Sequence, residues 1–400
     1  MGVRNCVSNL GVAGGLSGAP AYVICNGSLY FLEYIRGGME KLLVRSGSSS
    51  YSVIVGCGAW RGLRDIGLRK YTSVFVLTEE DLWKRWGGEF ARAAGLKNYA
   101  TIMVPAGERS KSLRSVDRVA GALLAKGADR RSLLIAFGGG VVGDLGGFVA
   151  STYMRGIDCV QVPTTVVAQV DSAIGGKTAV NVGTMKNLVG TFFPPRVVLS
   201  DPQALSTLDT RTFRSGLYEV IKHAVLSSPR LFRELEAVLD GLVPSNARNL
   251  GPILARAAQV KVNVVSRDER EAGLRRILNL GHTFGHALEE VTHYRRFLHG
   301  EAVGWGMLAA VRLAEKRGLL KASEADRISG LVRRVGKLPR VRDLSPDRVL
   351  ALLPRDKKAV GGKIHWVLPQ GIGKVRVVDD VSLAEAESAF RDIQQAAQHE

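Results

Sequence analysis

The feature of this sequence that most constrains its fold is an apolar run that ends in three consecutive glycines. Residues 132–140, SLLIAFGGG, are typical of a buried strand that enters a tight turn, and a predicted helix follows. An amphipathic helix is predicted just upstream, at 117–127, and Gly127 suits its C-terminus. Further apolar strands are predicted at 51–58, 73–78, 159–165 and 196–201. Buried strands that alternate with helices indicate an α/β fold with a doubly wound, Rossmann-like parallel sheet.

The sequence pattern changes after Asp201, where helical periodicity begins to prevail. A short apolar alternation at 363–378 predicts a hairpin near the end of the chain. Because a chain of this length suits two domains, we expect an α/β domain at 51–205 and a mainly α-helical domain at 206–400. Residues 1–50 are expected to form a loose extension.

The chain has a formal net charge of +18, with 55 Lys and Arg against 37 Asp and Glu. Such a charge suits a phosphorylated, carboxylated substrate, or a solvated basic surface with no single target. The basic residues are dispersed and no nucleic-acid-binding motif occurs, so we expect no nucleic acid partner. No apolar run of about 18 residues occurs, which predicts no membrane span. Four scattered cysteines without a CxxC pair favour a reduced, cytoplasmic protein.

The turn from Gly138 to Asp144 is a candidate nucleotide-binding site. Glycines let the backbone approach a pyrophosphate, which the N-terminus of the following helix also attracts. The segment is not a strict GxGxxG, so a plain strand-to-helix turn is an open alternative for this motif alone. Upstream, residues 107–111 (GERSK) would by themselves indicate a polar helix start.

A second glycine-rich segment, GGKT at 175–178, resembles the end of a P-loop. The spacing fails, because GxxxxGK requires a glycine where Asp171 stands, so no nucleoside triphosphate site is predicted. Lys177 beside two flexible glycines is still suited to hold an anion, and Lys186 and Asn187 add a charge and an amide nearby.

Histidines concentrate in one region of the second half. His282 and His286 are spaced i, i+4, and His299 follows 17 residues after His282. Imidazoles at such spacings, together with a carboxylate from elsewhere, can hold a divalent metal ion. Glu219 and Lys222 lie at i, i+3 on one face of a predicted apolar helix, where a surface ion pair is the alternative interpretation.

Taken together, these segments resemble the 3-dehydroquinate synthase family of sugar phosphate cyclases. The resemblance rests on motifs that occur in the family's order over residues 51–380: GGGVVGDLGGFVAST, YMRGI, QVPTTVVAQVDSAIGGKTAVN, MKNLVGTFFPP, GLYEVIKHA, RDEREAGLRRILNLGHTFGHALE and HGEAVGWGM. It implies NAD as a cofactor, a resident zinc ion (with cobalt possible) and a homodimer. It also implies conversion of 3-deoxy-D-arabino-heptulosonate 7-phosphate to 3-dehydroquinate and phosphate, in the shikimate pathway. In that reaction, transient oxidation by NAD precedes phosphate elimination, re-reduction and an intramolecular aldol closure.

The resemblance also implies a role for individual residues. The metal ligands are matched by Glu219, His282 and His299. The catalytic positions are matched by His286, Lys177, Lys222, Lys261, Arg275 and Asn279. The substrate-binding positions are matched by Asp171, Arg155, Lys186, Asn187 and Lys358, of which Arg155 would reach a neighbouring subunit. The cofactor-binding positions are matched by Glu108, Lys111, Gly139, Gly140, Val141, Asp144, Thr164, Thr165, Lys177 and Lys186.

A phosphate and a carboxylate on one substrate require several cations. We therefore expect Lys177, Lys222, Lys261 and Arg275 to converge on one pocket between the domains. Because burying unpaired cations is costly, this pocket is expected to be open and wet when it is empty.

Two segments depart from the family pattern. Thr78-Glu79-Glu80 stands where the family has Asp or Asn near the adenosine ribose, and Asp356-Lys357-Lys358 offers two lysines for one substrate-binding position. Two other activities are alternatives to the synthase. One is another sugar phosphate cyclase that makes 2-deoxy-scyllo-inosose or a valiolone. The other is a metal-dependent polyol dehydrogenase of the same superfamily, which would release its cofactor after each turnover.

Overall fold

The computed structural model describes residues 21–25, 28–35, 38–47, 49–183, 185–353 and 364–397. Its strands are β1 (Ala21–Cys25), β2 (Ser28–Ile35), β3 (Met39–Ser46), β4 (Ser49–Val55), β5 (Val74–Glu79), β6 (Ala100–Val104), β7 (Leu133–Gly138), β8 (Asp158–Pro163), β9 (Lys177–Val182), β10 (Met185–Phe192), β11 (Val197–Ser200), β12 (Trp366–Gly371) and β13 (Lys374–Val378). Its α-helices are α1 (Glu80–Ala94), α2 (Leu113–Ala125), α3 (Gly140–Thr152), α4 (Thr210–Ser227), α5 (Pro229–Val238), α6 (Gly251–Arg267), α7 (His282–Val291), α8 (His299–Lys316), α9 (Ala322–Arg334), α10 (Pro346–Leu350) and α11 (Leu383–Ala396).

Nine strands form one sheet in the order β1-β2-β3-β4-β11-β8-β7-β5-β6. The six strands from β4 to β6 in that order are parallel, which confirms the predicted α/β sheet. β7 is buried at all of its positions, as expected for a parallel strand with both faces covered. The chain runs outward from β5 to β6 and then returns to the other side of β5 as β7. The topological switch point, where such sheets bind ligands beyond their carboxyl ends, therefore lies between β5 and β7.

The loose extension expected for residues 1–50 is wrong for part of that stretch. β3 pairs antiparallel with β4, from Glu40 opposite Val55 to Ser46 opposite Ser49, and β2 and β1 continue the meander outward. In β3, Leu42 and Val44 are buried against the same core as the helices. An antiparallel strand is stabilised mainly by its partner strands, so its local sequence gave a weak signal.

The chain is mainly helical from Thr210 onward, which agrees with the predicted change of pattern. Asp209 is the N-cap of α4, and its carboxylate accepts a hydrogen bond from the Thr212 amide at 2.9 Å. α8 packs against α4, α7 and α9, and most of its residues are buried. This central position of α8 brings the N-termini of α7 and α8 close to the middle of α4.

A hairpin of β12 and β13 confirms the hairpin predicted at 363–378, and α11 follows it. The hairpin turn docks on α4 through a hydrogen bond from the Gly373 amide to the Val225 carbonyl at 2.9 Å. Among the described residues, no helix combines the length and the apolar character needed to cross a membrane.

Candidate active site

The first part of the site is a backbone surface at the carboxyl ends of β7 and β8. The carbonyl of Gly138, at the end of β7, accepts a hydrogen bond from the Thr164 amide at 3.0 Å. A Cβ atom on Gly139 would lie 3.1 Å from the side chain of Thr165. Glycine therefore keeps this backbone open beside the N-terminus of α3, which is suited to a pyrophosphate. The predicted cofactor residues at this edge are Gly139, Gly140, Val141, Thr164 and Thr165.

A carboxylate stands beside this turn at the end of the neighbouring strand. Leu77 of β5 pairs with Ala136 of β7, two residues before Glu79 and Gly138 respectively. Glu79 thus ends β5 at the switch point, on the strand that neighbours the one carrying the glycine turn. Burial raises the pKa of Glu79, and Asp81 raises it further. The departure from the family pattern at Thr78-Glu79-Glu80 therefore still leaves an acid at this edge.

The cofactor-binding residues predicted upstream reach the same edge. Lys111 Nζ lies 2.5 Å from Asp144 Oδ2 and so links the loop after β6 to α3. Asn181 Nδ2 donates to Glu108 Oε1 at 2.8 Å, and Asn181 Oδ1 accepts from the Asn187 amide at 2.8 Å. Asn181 was not predicted, because an amide inside a strand gives no local signal of its role. It connects the loop to the two-stranded ribbon of β9 and β10.

The predicted metal ligands meet where three helices pack together. Glu219, His282 and His299 each offer a ligand atom, and these atoms lie within 4.8 Å of one another. Glu219 Oε1 lies 3.9 Å from His282 Nε2 and 3.4 Å from His299 Nε2. Glu219 comes from the middle of α4, whereas the histidines open α7 and α8. The surface ion pair considered for Glu219 and Lys222 is wrong, because both side chains are fully buried.

The chemistry of this donor set fits a divalent metal ion. Glu219 Oε1 is buried and accepts no well-directed hydrogen bond from a described residue. His282 Nδ1 lies 3.2 Å from the Leu280 carbonyl oxygen, and His299 Nδ1 lies 3.4 Å from Glu289 Oε2. With the proton of each ring on Nδ1, these acceptors would direct each Nε2 to coordinate a metal ion beside Glu219. One carboxylate and two imidazoles leave coordination positions open for a substrate, as a catalytic zinc site requires.

His286 lies beside this triad, as predicted, without belonging to it. Its ring centroid is 5.4 Å from that of His282 and 6.3 Å from that of His299. The i, i+4 spacing places His286 one turn along α7 on the same helix face as His282. This position suits a residue that contacts a substrate bound at the triad.

A buried group of charges joins the sheet to the helices. Lys222 Nζ lies 3.6 Å from Asp171 Oδ2 and also contacts Glu219 Oε2. Lys261 Nζ donates to the Asp171 carbonyl at 2.7 Å and to the Asp171 carboxylate. Although burial opposes it, the two lysines hold the pKa of Asp171 well below its usual range, and Lys222 lowers the pKa of Glu219 to about 2. Burial lowers the pKa of Lys261 to about 8, against the attraction of Asp171.

Arg275 and Lys177 approach the same segment of chain. The guanidinium nitrogens of Arg275 donate to the Gly175 carbonyl at 3.3 Å. Lys177 Nζ contacts Glu271 Oε2, and Glu271 Oε1 accepts from Asn279 Nδ2 at 3.0 Å. Glu271, with a φ of 62°, was not predicted as a site residue. The segment that follows β8 therefore brings the four predicted cations to one junction.

The expectation of an open, wet cleft is wrong for three of these cations. Lys222, Lys261 and Arg275 are 0%, 7% and 2% exposed. Carboxylates and carbonyl oxygens compensate their charges within the protein, which removes the cost on which the expectation rested. The side chain of Lys177 differs, because 45% of its surface is exposed.

The remaining predicted residues lie in different settings. Lys186 Nζ lies 3.0 Å from Glu289 Oε1. Arg155 is exposed in the turn after α3, with a φ of 68°, and its role toward a neighbouring subunit stays a prediction. Lys358, with Asp356 and Lys357, lies outside the described residues.

Comparisons with known proteins show the family to which the chain is similar. The family models for the N-terminal and C-terminal parts of 3-dehydroquinate synthase match residues 101–215 and 216–359. The 3-dehydroquinate synthase of Solibacter usitatus is 42% identical over 343 residues, which cover 86% of this chain and 96% of that protein.

Solved structures extend the similarity to other sugar phosphate cyclases. The 2-epi-5-epi-valiolone synthase of Streptomyces hygroscopicus, solved with NAD+ and Zn2+, has a TM-score of 0.78 and 32% identity, covering 87% of this chain and 98% of its own. A 2-deoxy-scyllo-inosose synthase, solved with carbaglucose-6-phosphate, NAD+ and Co2+, has a TM-score of 0.76 and 25% identity, covering 88% and 99%. The matches of both family models and the extended identity to a curated relative show that this chain belongs to the 3-dehydroquinate synthase family.

Proposed function

We propose that this protein is a 3-dehydroquinate synthase, a carbon–oxygen lyase that depends on NAD and a divalent metal ion. It converts 3-deoxy-D-arabino-heptulosonate 7-phosphate to 3-dehydroquinate and phosphate in the shikimate pathway of the cytoplasm. Zinc is the proposed metal, with cobalt as an alternative. The observation that carries the proposal is the contact between the Glu219, His282 and His299 triad and the buried cations, made through Lys222. The relative named for this reaction, 42% identical, supports it.

Glu219, His282 and His299 would hold the metal ion, which supplies a Lewis acid for a substrate hydroxyl when bound. Glu219 is ionised, because Lys222 lowers its pKa to about 2 against the effect of burial. Both imidazoles are oriented through Nδ1, so their Nε2 atoms face Glu219 without rearrangement. His286 stands one helical turn away and can exchange a hydrogen bond with a substrate oxygen at the triad.

The glycine turn at the end of β7 would bind NAD, which supplies a hydride acceptor when bound. Gly139 leaves room for the pyrophosphate beside Thr165, and the N-terminus of α3 attracts its charge. Glu79 would accept hydrogen bonds from the ribose hydroxyls at the end of β5. Lys111, held by Asp144, fixes the loop that borders this edge.

The substrate brings a phosphate and a carboxylate to a junction rich in cations. Lys177 is the most exposed of the four predicted cations and would meet an anion first, which requires Glu271 to release it. Lys222 and Lys261 contact Asp171, and Arg275 contacts the Gly175 carbonyl. From these positions the three cations would stabilise the negative charge of the substrate. Asp171 is ionised, so it can accept hydrogen bonds from substrate hydroxyl groups. These residues orient and stabilise more than they transfer protons.

A second sugar phosphate cyclase activity is the alternative, favoured by the TM-score of 0.78 with a 2-epi-5-epi-valiolone synthase. The lower identity to that enzyme, 32% against 42% for the dehydroquinate synthase, favours the first proposal. The proposal also includes a homodimer in which Arg155 reaches the neighbouring subunit.

One assay separates these activities. The purified protein is incubated with NAD, zinc and the heptulosonate phosphate, and phosphate release, NADH and the organic product are measured. The proposal expects phosphate and 3-dehydroquinate in equal amounts with no accumulation of NADH. Accumulating NADH without phosphate would instead indicate a dehydrogenase. Glucose 6-phosphate, which lacks a carboxylate, is the control substrate, and turnover of it alone would indicate a different cyclase.

A further inference from the structure

We propose that Glu289 is a positioning residue that orients the imidazole of His299 and couples it to Lys186 on the β9–β10 ribbon. This inference rests on the metal site of the proposed function. Glu289 lies in α7, seven residues after His282, and is only 3% exposed. A carboxylate buried to that degree requires partners, and the geometry assigns one to each of its oxygens.

The first oxygen of Glu289 acts on a predicted metal ligand. Glu289 Oε2 lies 3.4 Å from His299 Nδ1, while His299 Nε2 lies 3.4 Å from Glu219 Oε1 on the opposite side of the ring. The imidazole is therefore held between two carboxylates. A hydrogen bond from Nδ1 to a carboxylate fixes both the tautomer and the ring orientation of a metal-binding histidine, and raises its basicity.

The two histidines of the triad are oriented in different ways. His282 Nδ1 lies 3.2 Å from the carbonyl of Leu280, two residues earlier in its own chain segment. His299 is the first residue of α8, and 36% of its side chain is exposed. Its orientation depends on a side chain from a different helix. Removing Glu289 would consequently affect His299 without a direct effect on His282.

The second oxygen of Glu289 holds a lysine that comes from the sheet half of the protein. Glu289 Oε1 lies 3.0 Å from Lys186 Nζ, and the same ammonium group lies 4.3 Å from the centre of the Tyr294 ring. The Tyr294 amide donates to the Glu289 carbonyl at 2.7 Å. The end of α7 thus surrounds Lys186 from two sides.

The backbone after α7 is strained where it places Tyr294. His293 and Tyr294 have φ values of 53° and 56°, a left-handed conformation that residues with a side chain seldom adopt. Such conformations persist where the surrounding structure requires them, and they concentrate at functional sites. Here this conformation accompanies the contact of the Tyr294 ring with Lys186.

One carboxylate therefore connects the metal site to the β9–β10 ribbon. His299 lies in the helical half, whereas Lys186 lies in β10 of the ribbon, whose other strand, β9, begins with Lys177. Any movement of the ribbon that draws Lys186 away would remove the cation that lies against Oε1 of Glu289. Metal affinity and the position of Lys186 should accordingly depend on each other.

The test compares Glu289→Gln with Glu290→Gln, a neighbouring glutamate that is only half-buried. Glutamine offers one acceptor oxygen where two are needed, so it must release His299 or Lys186. Zinc affinity is measured by competition with a chelator, and the visible absorption of the Co2+ form reports the ligand geometry. We expect Glu289→Gln to weaken zinc binding about 10- to 100-fold and to change the Co2+ spectrum. Glu290→Gln should behave as the wild type in both measurements.

A second variant covers the case in which Glu289→Gln does not fold. Lys186→Met combined with Glu289→Leu removes both members of the ion pair, so no buried charge is left uncompensated and no acceptor is left for His299 Nδ1. The double variant should fold and still bind zinc at least about 10-fold more weakly than the wild type. Wild-type zinc affinity and an unchanged Co2+ spectrum, in either variant, would overturn the proposal. Partial recovery in Glu289→Asp, which keeps two oxygens, would support it.

The outcome for the wild-type protein separates this inference from the proposed function. If the wild type binds no zinc or Co2+, the metal site itself is wrong. If the wild type binds metal and the Glu289 variants bind it equally well, the metal site stands and the positioning role of Glu289 is rejected.

Discussion

Lys222 Nζ lies 3.6 Å from Asp171 Oδ2, although Asp171 follows a strand of the sheet and Lys222 lies on a helix of the second half. The same ammonium group contacts the carboxylate of Glu219. One fully buried cation therefore compensates an acid from each half of the protein. The junction depends on this balance of charge, because an uncompensated buried ion costs several kcal/mol.

Neutralising Lys222 should destabilise the fold. Lys222→Met keeps the side-chain length but leaves Asp171 and Glu219 without their shared cation, so we expect a loss of about 3–5 kcal/mol in the free energy of unfolding. Urea denaturation of the variant and of the wild type measures this loss in the free energy of unfolding. Lys84→Met is the control, because the exposed ion pair of Lys84 with Glu80 should contribute little to the free energy of unfolding. A Lys222→Met protein as stable as the wild type would contradict the proposed balance.

Lys222→Met should also affect the affinities for the substrate and for NAD differently. Lys222 contacts Asp171 and Glu219 at the cation junction, whereas the proposed NAD site is the glycine turn after β7. Substrate affinity should therefore fall, while NAD affinity stays close to wild type. Calorimetry without urea, at a temperature at which the variant is folded, measures both affinities. Equal weakening of NAD and of the heptulosonate phosphate would show that the variant disturbs the whole cleft. Unchanged affinity for the heptulosonate phosphate would refute the substrate role of Lys222.

His282→Ala should remove the metal ion and the activity together. The variant deletes one of two imidazoles that face Glu219, and the remaining two ligands are too few for a stable zinc site. Metal content after dialysis, measured by atomic absorption, is the decisive quantity. His293→Asn is the control, because His293 is exposed and asparagine tolerates its φ of 53°. Full metal occupancy in His282→Ala would reject the triad.

Gly139→Val should block NAD binding. A Cβ at this position would already lie 3.1 Å from the Thr165 side chain, and a branched side chain would fill the approach to the α3 N-terminus. We expect NAD affinity to fall at least about 10-fold, measured by fluorescence titration. Gly121→Val is the control, because a Cβ on Gly121 meets no atom within 4 Å apart from its chain neighbours and the backbone of its own helix. Wild-type NAD affinity in Gly139→Val would make the turn purely structural.

Different parts of this molecule were predictable for different physical reasons. The strands β5 and β7 were evident because a parallel strand covered on both faces is apolar at successive positions. The metal triad was evident because its residues lie within recognisable motifs. Glu289 and Glu271 were not predicted, because each acts through partners about 10 to 100 residues away in sequence, such as His299 and Lys177. Their functions follow from tertiary packing, which no local pattern encodes.

The stability that α11 gains from its contact with Arg317 should depend on pH, and this contact lies away from the active site. Arg317 donates to both carboxylate oxygens of Glu385, at 2.7 and 2.9 Å, and Glu385 also accepts from the Ser382 amide at 2.9 Å in a capping box. Arg317, followed by Ser382, lowers the pKa of Glu385 to about 2. Because the folded-state pKa lies below the unfolded one, the stabilisation is complete above the unfolded pKa and is lost as the pH falls toward about 2.

Glu385→Gln keeps the size of the side chain and one acceptor for the cap but removes its charge. Since 38% of the Glu385 side chain is exposed, screening by solvent limits the expected loss to about 1 kcal/mol at pH 7. The difference from the wild type should shrink between pH 5 and pH 3 and should also diminish in 1 M salt, according to urea denaturation at each condition. Glu387→Gln is the matched control on the same helix, because the exposed pair of Glu387 with Arg391 should change stability by less than about 0.5 kcal/mol. A Glu385→Gln deficit that is the same at pH 7 and pH 3 would show that the cap geometry, rather than the charge, holds α11 in place.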